Sequence, residues 1–344
     1  LSICEEINSS SIVFSAKRYG IDALGAMAQG LFASLLIGTI IATLGEQAGI
    51  PFLVTAGSYA KAVSGPAMAI SIGYALQAPQ LVLFSLLAVG QAANELGGAG
   101  GPLAVLVVTI FAAESGKAIS KETKIDILAT PLVTILVGTI LSVWWAPSIG
   151  AAASSVGQLI MWATDLQPFF MGIFVSVIVG IALTLPISSA AICAALGLTG
   201  LAGGAAVAGC CAQMIGFATA SLRENGIGGL LAQGIGTSML QVPNIVRKPL
   251  IWLPPIITSA ILGPISTVVL KMTNNAIGSG MGTAGFVGPM MTYKTMTTGG
   301  TSAVTVIVMI LVMQIIAPAF LTYFISEAMR RAGLIKDGDM KLDI

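Results

Sequence analysis

The chain has 344 residues, of which 56% are hydrophobic and only 8% charged, and its formal net charge is +1. A soluble domain carries about 25% charged residues, so this chain cannot cover itself in water and reads as a polytopic membrane protein. The near-zero net charge excludes a nucleic-acid partner bound by bulk electrostatics, and the absence of histidine removes the usual general base, metal ligand and phosphoryl acceptor.

A spanning helix takes about 20 apolar residues. The length therefore predicts an all-α fold of about eight to ten transmembrane helices plus re-entrant segments, in one membrane domain. Residues 1–20 are mixed and polar, end in Lys17-Arg18, and read as a cytoplasmic approach with no cleavable leader. Residues 23–45 run without a charge and are long enough to cross; Glu46 and Gln47 close them on a side without Lys or Arg. Residues 51–75 are apolar but broken by Gly57, Lys61, Gly65-Pro66 and Gly73.

The run 81–93 leads into Asn94-Glu95-Leu96-Gly97-Gly98-Ala99-Gly100-Gly101-Pro102, and 103–113 follows. Glu114, Lys117, Lys121 and Lys124 read as a solvated cytoplasmic loop. Residues 125–145 cross back, with Trp144 and Trp145 as an interfacial belt, and 150–165 read as a separate interfacial or packed helix. Residues 169–185 cross before Pro186, and 188–220 are dense in Gly, Ala, Ser and Cys, as in closely packed helices. Two further crossings are predicted at 226–240 and 250–270, separated by Pro243, Arg247, Lys248 and Pro249. The last span, 302–324, ends in a cytoplasmic tail with Arg330, Arg331, Lys336 and Lys341. Cys4, Cys193, Cys210 and Cys211 lack metal-ligand spacing, and the last three read as packing residues.

Two segments share the pattern G-x-x-A-Q-G-x-x-x-S-x-L: Gly25 to Leu36, holding Gln29 and Ser34, and Gly229 to Leu240, holding Gln233 and Ser238. Gly97 to Pro102 loosely echoes Gly282 to Pro289. These matches predict an inverted repeat, with halves at about 20–150 and 225–330 and with 151–224 connecting them. With the basic clusters inside, both termini are cytoplasmic and Arg223 stands alone on the outer side.

The Gly-rich stretch 274–291 (NNAIGSGMGTAGFVGPMM) lies between two strongly apolar runs. Non-helical backbone at membrane depth must line a cavity or be buried in protein, which places Asn274 and Asn275 at a cavity mouth. The predicted substrate-binding residues are Asn94, Glu95, Asn274, Asn275, Gln29, Gln233, Gly282 and Thr283. Carboxamides suit a neutral polyol, and an intramembrane carboxylate suits hydroxyls, a proton or a cation. No nucleophile–base pair, phosphate-cradling loop or metal-ligand set is present in the sequence, so no enzymatic activity, cofactor or metal is expected.

The segments GTSMLQVPNIVRKPLIWLPP (236–255) and NNAIGSGMGTAGFVGPMMTY (274–293) resemble the phosphotransferase-system EIIC-like membrane family, in the group of the perfringolysin O regulator. The resemblance implies a dimeric, multi-spanning permease domain in the bacterial inner membrane, served by separate EIIA and EIIB proteins. Without histidine or a phosphocysteine loop, the chain is expected to have no phosphorylation domain of its own. The leading expectation is a permease that moves a small polar solute, a sugar or polyol, by alternating access. The alternative is a membrane-embedded sensor of the toxin-expression-regulator type that binds solute without transport; an ion channel is disfavoured by the lack of a filter motif.

Overall fold

The computed structural model describes residues 15–122 and 125–342. Cys4, Lys124 and most of the polar approach at 1–20 lie outside them. The described residues are helical throughout, with one isolated antiparallel bridge between Gly200 and Asn274.

In chain order the helices are α1 (Arg18–Ala48), α2 (Pro51–Ala62), α3 (Ser64–Ala75), α4 (Gln80–Gly97), α5 (Gly101–Ile119), α6 (Asp126–Thr164) and α7 (Pro168–Thr184). They continue as α8 (Ser189–Ala195), α9 (Gly200–Ala220), α10 (Leu222–Leu231), α11 (Val242–Arg247), α12 (Pro249–Val269), α13 (Ala276–Ser279), α14 (Val287–Thr298) and α15 (Ala303–Arg331). Proline in the first turn of α5, α7 and α12 costs no hydrogen bond, because the first N–H groups have no helical partner.

Among the described residues, six helical stretches are long and apolar enough to cross a membrane: α1, α4 with α5 taken together, α6, α9, α12 and α15; α7 is a shorter apolar helix. This is a polytopic all-α membrane protein. The long stretches are fewer than the runs counted in the sequence because some runs merge. Residues 125–145 and 150–165 form one helix of 39 residues that tolerates Pro131 and Pro147 inside it. The break between α4 and α5 is a single 3₁₀ turn, Gly98–Gly100, with Gly98 at φ +49°, where glycine is the default residue.

The chain forms two compact units. The first comprises the described residues up to Leu35 together with Ala62–Ala151. In it α3 packs on the first half of α1 and on α4, and α4 packs on α5. The α3–α4 crossing is set by two facing glycines: a Cβ on Gly65 would lie 2.5 Å from the Gly90 carbonyl oxygen, and one on Gly90 would lie 2.4 Å from that of Gly65.

Glu114 and Lys117 are not in a solvated loop. Helix α5 continues to Ile119, so both fall on its last turns and are buried. They form an ion pair at 3.1 Å, and Lys117 Nζ also donates to the Leu76 carbonyl at 3.1 Å. Arg18 donates to that same carbonyl. Two cations thus satisfy a carbonyl left open at the end of α3. Lys121 remains exposed, as expected of a loop lysine.

The second unit comprises Leu36–Lys61 and the chain from Ala152 onward. Its centre is α9, which is buried along nearly its whole length and packs on α7, α12 and α15. The Gly/Ala/Ser/Cys composition of 188–220 is what allows this approach, and Cys193, Cys210 and Cys211 are buried free thiols. One apolar cluster (Ala208, Leu262, Met272, Val306, Met313) gathers towards the Gly200 end of α9. Another (Phe217, Ala220, Ile251, Ile335, Met340) surrounds its Ala220 end.

Candidate functional site

Helix α9 has 21 residues, so its ends stand about 30 Å apart at about 1.5 Å per residue, the thickness of a hydrocarbon core. It is a ruler for the rest of the second unit.

At the Ala220 end, the segment 221–248 leaves and comes back to the same place. Glu224 accepts from Arg330 Nη2 at 2.6 Å and from the Met340 backbone N–H at 2.8 Å. Asn225 Nδ2 donates to the Met340 carbonyl at 2.9 Å, and Asn244 Nδ2 to the Lys341 carbonyl at 2.8 Å. Arg330 itself donates to the Ala220 carbonyl at 3.3 Å. Both roots of the segment are therefore tied to one C-terminal strap, and the segment is re-entrant rather than a crossing at 226–240. The same geometry corrects the orientation of Arg223. It pairs with Glu327 at 3.2 Å, next to Glu224 and Arg330, and stands on the side of the C-terminal tail. The apolar run misled because re-entrant backbone buried in protein can be as apolar as a span.

At the Gly200 end, the segment 271–302 makes the opposite excursion. Gly200 and Asn274 exchange backbone hydrogen bonds at 3.0 and 3.2 Å. The chain then descends through α13 to Gly282, where a Cβ would lie 2.8 Å from Cys210 Cβ, halfway along α9. Gly282 has φ +54° and Gly285 +52°, so the reversal depends on glycine. Helix α14 returns to Thr298, and α15 starts back across at Ala303.

The two excursions meet. Thr283 Oγ1 donates to the Gly234 carbonyl at 2.5 Å, where a π-helical turn, Ala232–Gly236, frees that carbonyl at the innermost part of the first segment. The second copy of the repeated motif is thus the partner of the Gly-rich stretch.

The predicted site residues separate by job. Asn274 is fully buried rather than at a cavity mouth. Its Nδ2 donates to the Gly288 carbonyl at 3.2 Å and to Thr292 Oγ1 at 3.0 Å, and its Oδ1 accepts from the Asn275 N–H at 2.8 Å. A break in the helix leaves backbone groups unpaired, and this carboxamide substitutes for the lost ladder. Asn275 is half-buried and caps α13, accepting from the Gly278 N–H at 2.9 Å, while its Nδ2 reaches Met291 Sδ at 3.3 Å.

Gln233 is fully buried. Its Nε2 donates to Ser221 Oγ at 2.9 Å, and its Oε1 accepts from Gln241, which in turn donates to the Met340 carbonyl at 3.0 Å. It is a link between the strap and the first excursion.

In the first unit, Gln29 is exposed on α1 and Glu95 is exposed near the end of α4, where Gln91 donates to it at 2.5 Å. Asn94 is half-buried beside Gly65 and Gly101. The Gly-rich break expected over residues 94–102 thus narrows to a helix end, with Asn94 and Glu95 still on α4.

Alongside the second excursion lies a cavity of about 760 Å³, within the range of about 300–1,000 Å³ usual for small-molecule sites. Glu46, Gln47, Tyr293, Lys294 and Thr297 supply polar groups, and Phe286, Met291, Ile310 and Leu311 supply apolar wall. Phe286 holds φ +59°, a conformation that costs energy for a large side chain and concentrates at ligand sites. Tyr293, Lys294 and Thr297 follow directly on the Gly-rich stretch, whereas the predicted site residues end at Thr283.

A polytopic chain with two opposed re-entrant segments and a cavity along one of them has the outline of a transporter. Against this outline, the model of the family described as Phosphotransferase system, EIIC matches residues 21–342. The chain belongs to the EIIC family. No curated protein and no solved structure matches it. As an EIIC protein it is a membrane sugar-transport component of a phosphotransferase system. Membership also implies a solute and work alongside EIIA and EIIB partners. EIIC domains are the permease components of such systems, so the chemistry sought in this EIIC chain is recognition and passage.

Proposed function

We propose that this EIIC chain moves a neutral sugar or polyol across the bacterial inner membrane by alternating access, and that the cavity flanking residues 286–297 is its solute site. The observation that carries this reading is the Thr283–Gly234 contact between excursions rooted at opposite ends of α9, together with a cavity that runs along the returning arm of the second excursion from Phe286 to Thr297. Broken segments of this kind expose backbone polar groups near the middle of a membrane without exposing them to lipid. A mixed wall of Tyr293, Thr297 and Gln47 against Met291 and Leu311 suits a sugar, which has hydroxyl edges and C–H faces. Gly282 and Thr283 shape the passage, Asn275 reaches the back of the wall through Met291, and Asn274 and Gln233 hold the two segments in place. In the first unit we assign solute or cation contact to Asn94, Glu95 and Gln29. A homodimer, both termini on the cytoplasmic side and two half-repeats over about 20–150 and 225–330 complete the proposal. The Arg/Lys-rich tail side of α9 (Arg223, Arg247, Lys248, Arg330, Arg331) is the cytoplasmic one by the positive-inside rule.

The test is uptake of labelled neutral hexoses and hexitols by liposomes holding the full chain, with EIIA and EIIB components supplied where flux requires them. Tyr293→Ala with Thr297→Val is expected to weaken binding by about tenfold or more, with the melting temperature unchanged because both side chains face the cavity. Unaltered affinity in that variant would remove the cavity from the mechanism.

One observation favours a second reading, that of a solute sensor. The C-terminal strap is bonded to the roots of the first excursion and, through Gln241, to Gln233, so movement of that segment is felt in the tail. Saturable binding with no flux in the same liposomes selects the sensor.

A further inference from the structure

Gln314 lies inside the last span, in a π-helical turn over Leu311–Ile316, and is fully buried. Its Nε2 donates to Thr292 Oγ1 at 2.9 Å. That oxygen also accepts from Asn274 Nδ2 at 3.0 Å and gives its one proton to the Gly288 carbonyl at 2.9 Å. Thr292 is thereby saturated. Gln314 Oε1 is left with no hydrogen-bond partner among the described residues.

An unmet buried carbonyl keeps its full desolvation cost, and a leucine or methionine would avoid it in so apolar a span. Its position gives the cost a use. Gln314 follows Ile310 by four residues and Leu311 by three, and both line the cavity. Helical side chains lean over the turn before them. Thr292, its partner, stands between Met291 and Tyr293, which also line the cavity. The unmet oxygen therefore belongs to the layer directly behind the cavity wall, in a π turn, a feature common at functional sites.

We propose that Gln314 is a specificity-determining residue of this site, its Oε1 accepting a hydrogen bond from a solute hydroxyl when the wall side chains in front of it move aside. The proposal rests on the reading of the cavity as the solute site. An amide oxygen with no proton to give favours ligands that bring O–H or N–H groups. It disfavours phosphate and carboxylate oxygens, which bring only lone pairs. Both N–H groups of Asn274 are already spent on Gly288 and Thr292, and one of the two on Gln314 is spent on Thr292.

The experiment measures melting temperature and affinity of the purified full chain for neutral hexoses and hexitols, with hexose 6-phosphates as the anionic comparison. Gln314→Met removes the unmet oxygen and keeps the volume. It is expected to raise or preserve the ligand-free melting temperature while weakening neutral-ligand binding by about tenfold or more. Gln314→Glu keeps an acceptor in place and is expected to retain neutral binding and to go on excluding the phosphates. A methionine variant that melts lower and binds as the wild type would make Gln314 structural and overturn the proposal. If that variant does not fold, the glutamate variant decides: loss of neutral binding in a folded protein overturns it. A wild type that binds none of the neutral ligands removes the cavity reading itself, which is a separate outcome from wild-type binding that Gln314→Met leaves unchanged.

Discussion

Gly209→Val is expected to prevent assembly of the second unit, read as loss of the monodisperse folded protein after extraction. A Cβ at this position would lie 1.9 Å from the Ser176 carbonyl oxygen, with Ser176 backbone carbons at 2.5 and 2.7 Å. The obstacle is the backbone of α7, which cannot rotate out of the way as a side chain can. Ordinary overpacking costs about 1–3 kcal/mol when side chains can shift; here α7 and α9 must separate along their length. Their neighbour α12 is bound into the same crossing, since Ser176 Oγ donates to the Ser259 carbonyl at 2.7 Å and Ser259 Oγ reaches the Gly209 carbonyl at 3.4 Å. Close approach of small residues is how helices associate in a bilayer, where apolar burial between helices gains little over lipid. The control is Gly228→Ala, where a Cβ meets nothing within 4 Å and normal folding is expected.

The second large effect is predicted at Glu224. Its carboxylate takes Arg330 on one oxygen and the Met340 N–H on the other, and both charged side chains are less than a tenth exposed. Breaking a buried pair by removing one partner costs about 3–5 kcal/mol because the other charge is left uncompensated. Arg330 retains the exposed Asp337 at 2.8 Å, so Glu224→Ala should fall near the lower figure, about 3 kcal/mol. Thermal unfolding in detergent reads the loss, and faster proteolysis within residues 332–342 shows that the strap has come free. A variant with a protected strap and an unchanged melting temperature would mean that the strap does not hold the roots of the first excursion.

How much of this was visible in the sequence depends on the distance between the partners. The all-helical membrane class follows from 8% charge, a property of the whole chain. The crowding of 188–220 and the break at 274–291 follow from local glycine content, and both are present in the structure. Local reading failed where the deciding partner comes from far along the chain. Residues 226–240 look like a span because they are apolar; they are re-entrant because Glu224 and Asn244 bind a strap roughly a hundred residues later. Glu114 and Lys117 look solvated because they open a run of charges, yet Leu76 and each other supply their contacts. Asn274 reads equally well as a ligand group or as a staple, since a carboxamide does both; only its three bonds to neighbours separate the two. Gln314 carries a single local signal, a lone amide in an otherwise apolar run, and that signal does not say which partner the amide meets.

The central claim is that residues 221–248 and 271–302 enter the membrane from opposite faces and return. Single cysteines at Gly228, Arg247 and Thr298, in a chain whose four native cysteines are replaced by alanine, test it by labelling sealed oriented vesicles with a membrane-impermeant maleimide. All three positions are exposed in the protein. Labelling of Gly228→Cys and Arg247→Cys from one face, and of Thr298→Cys only from the other, is the predicted pattern. Labelling of Gly228→Cys and Arg247→Cys from opposite faces would make 226–240 a crossing and contradict the account.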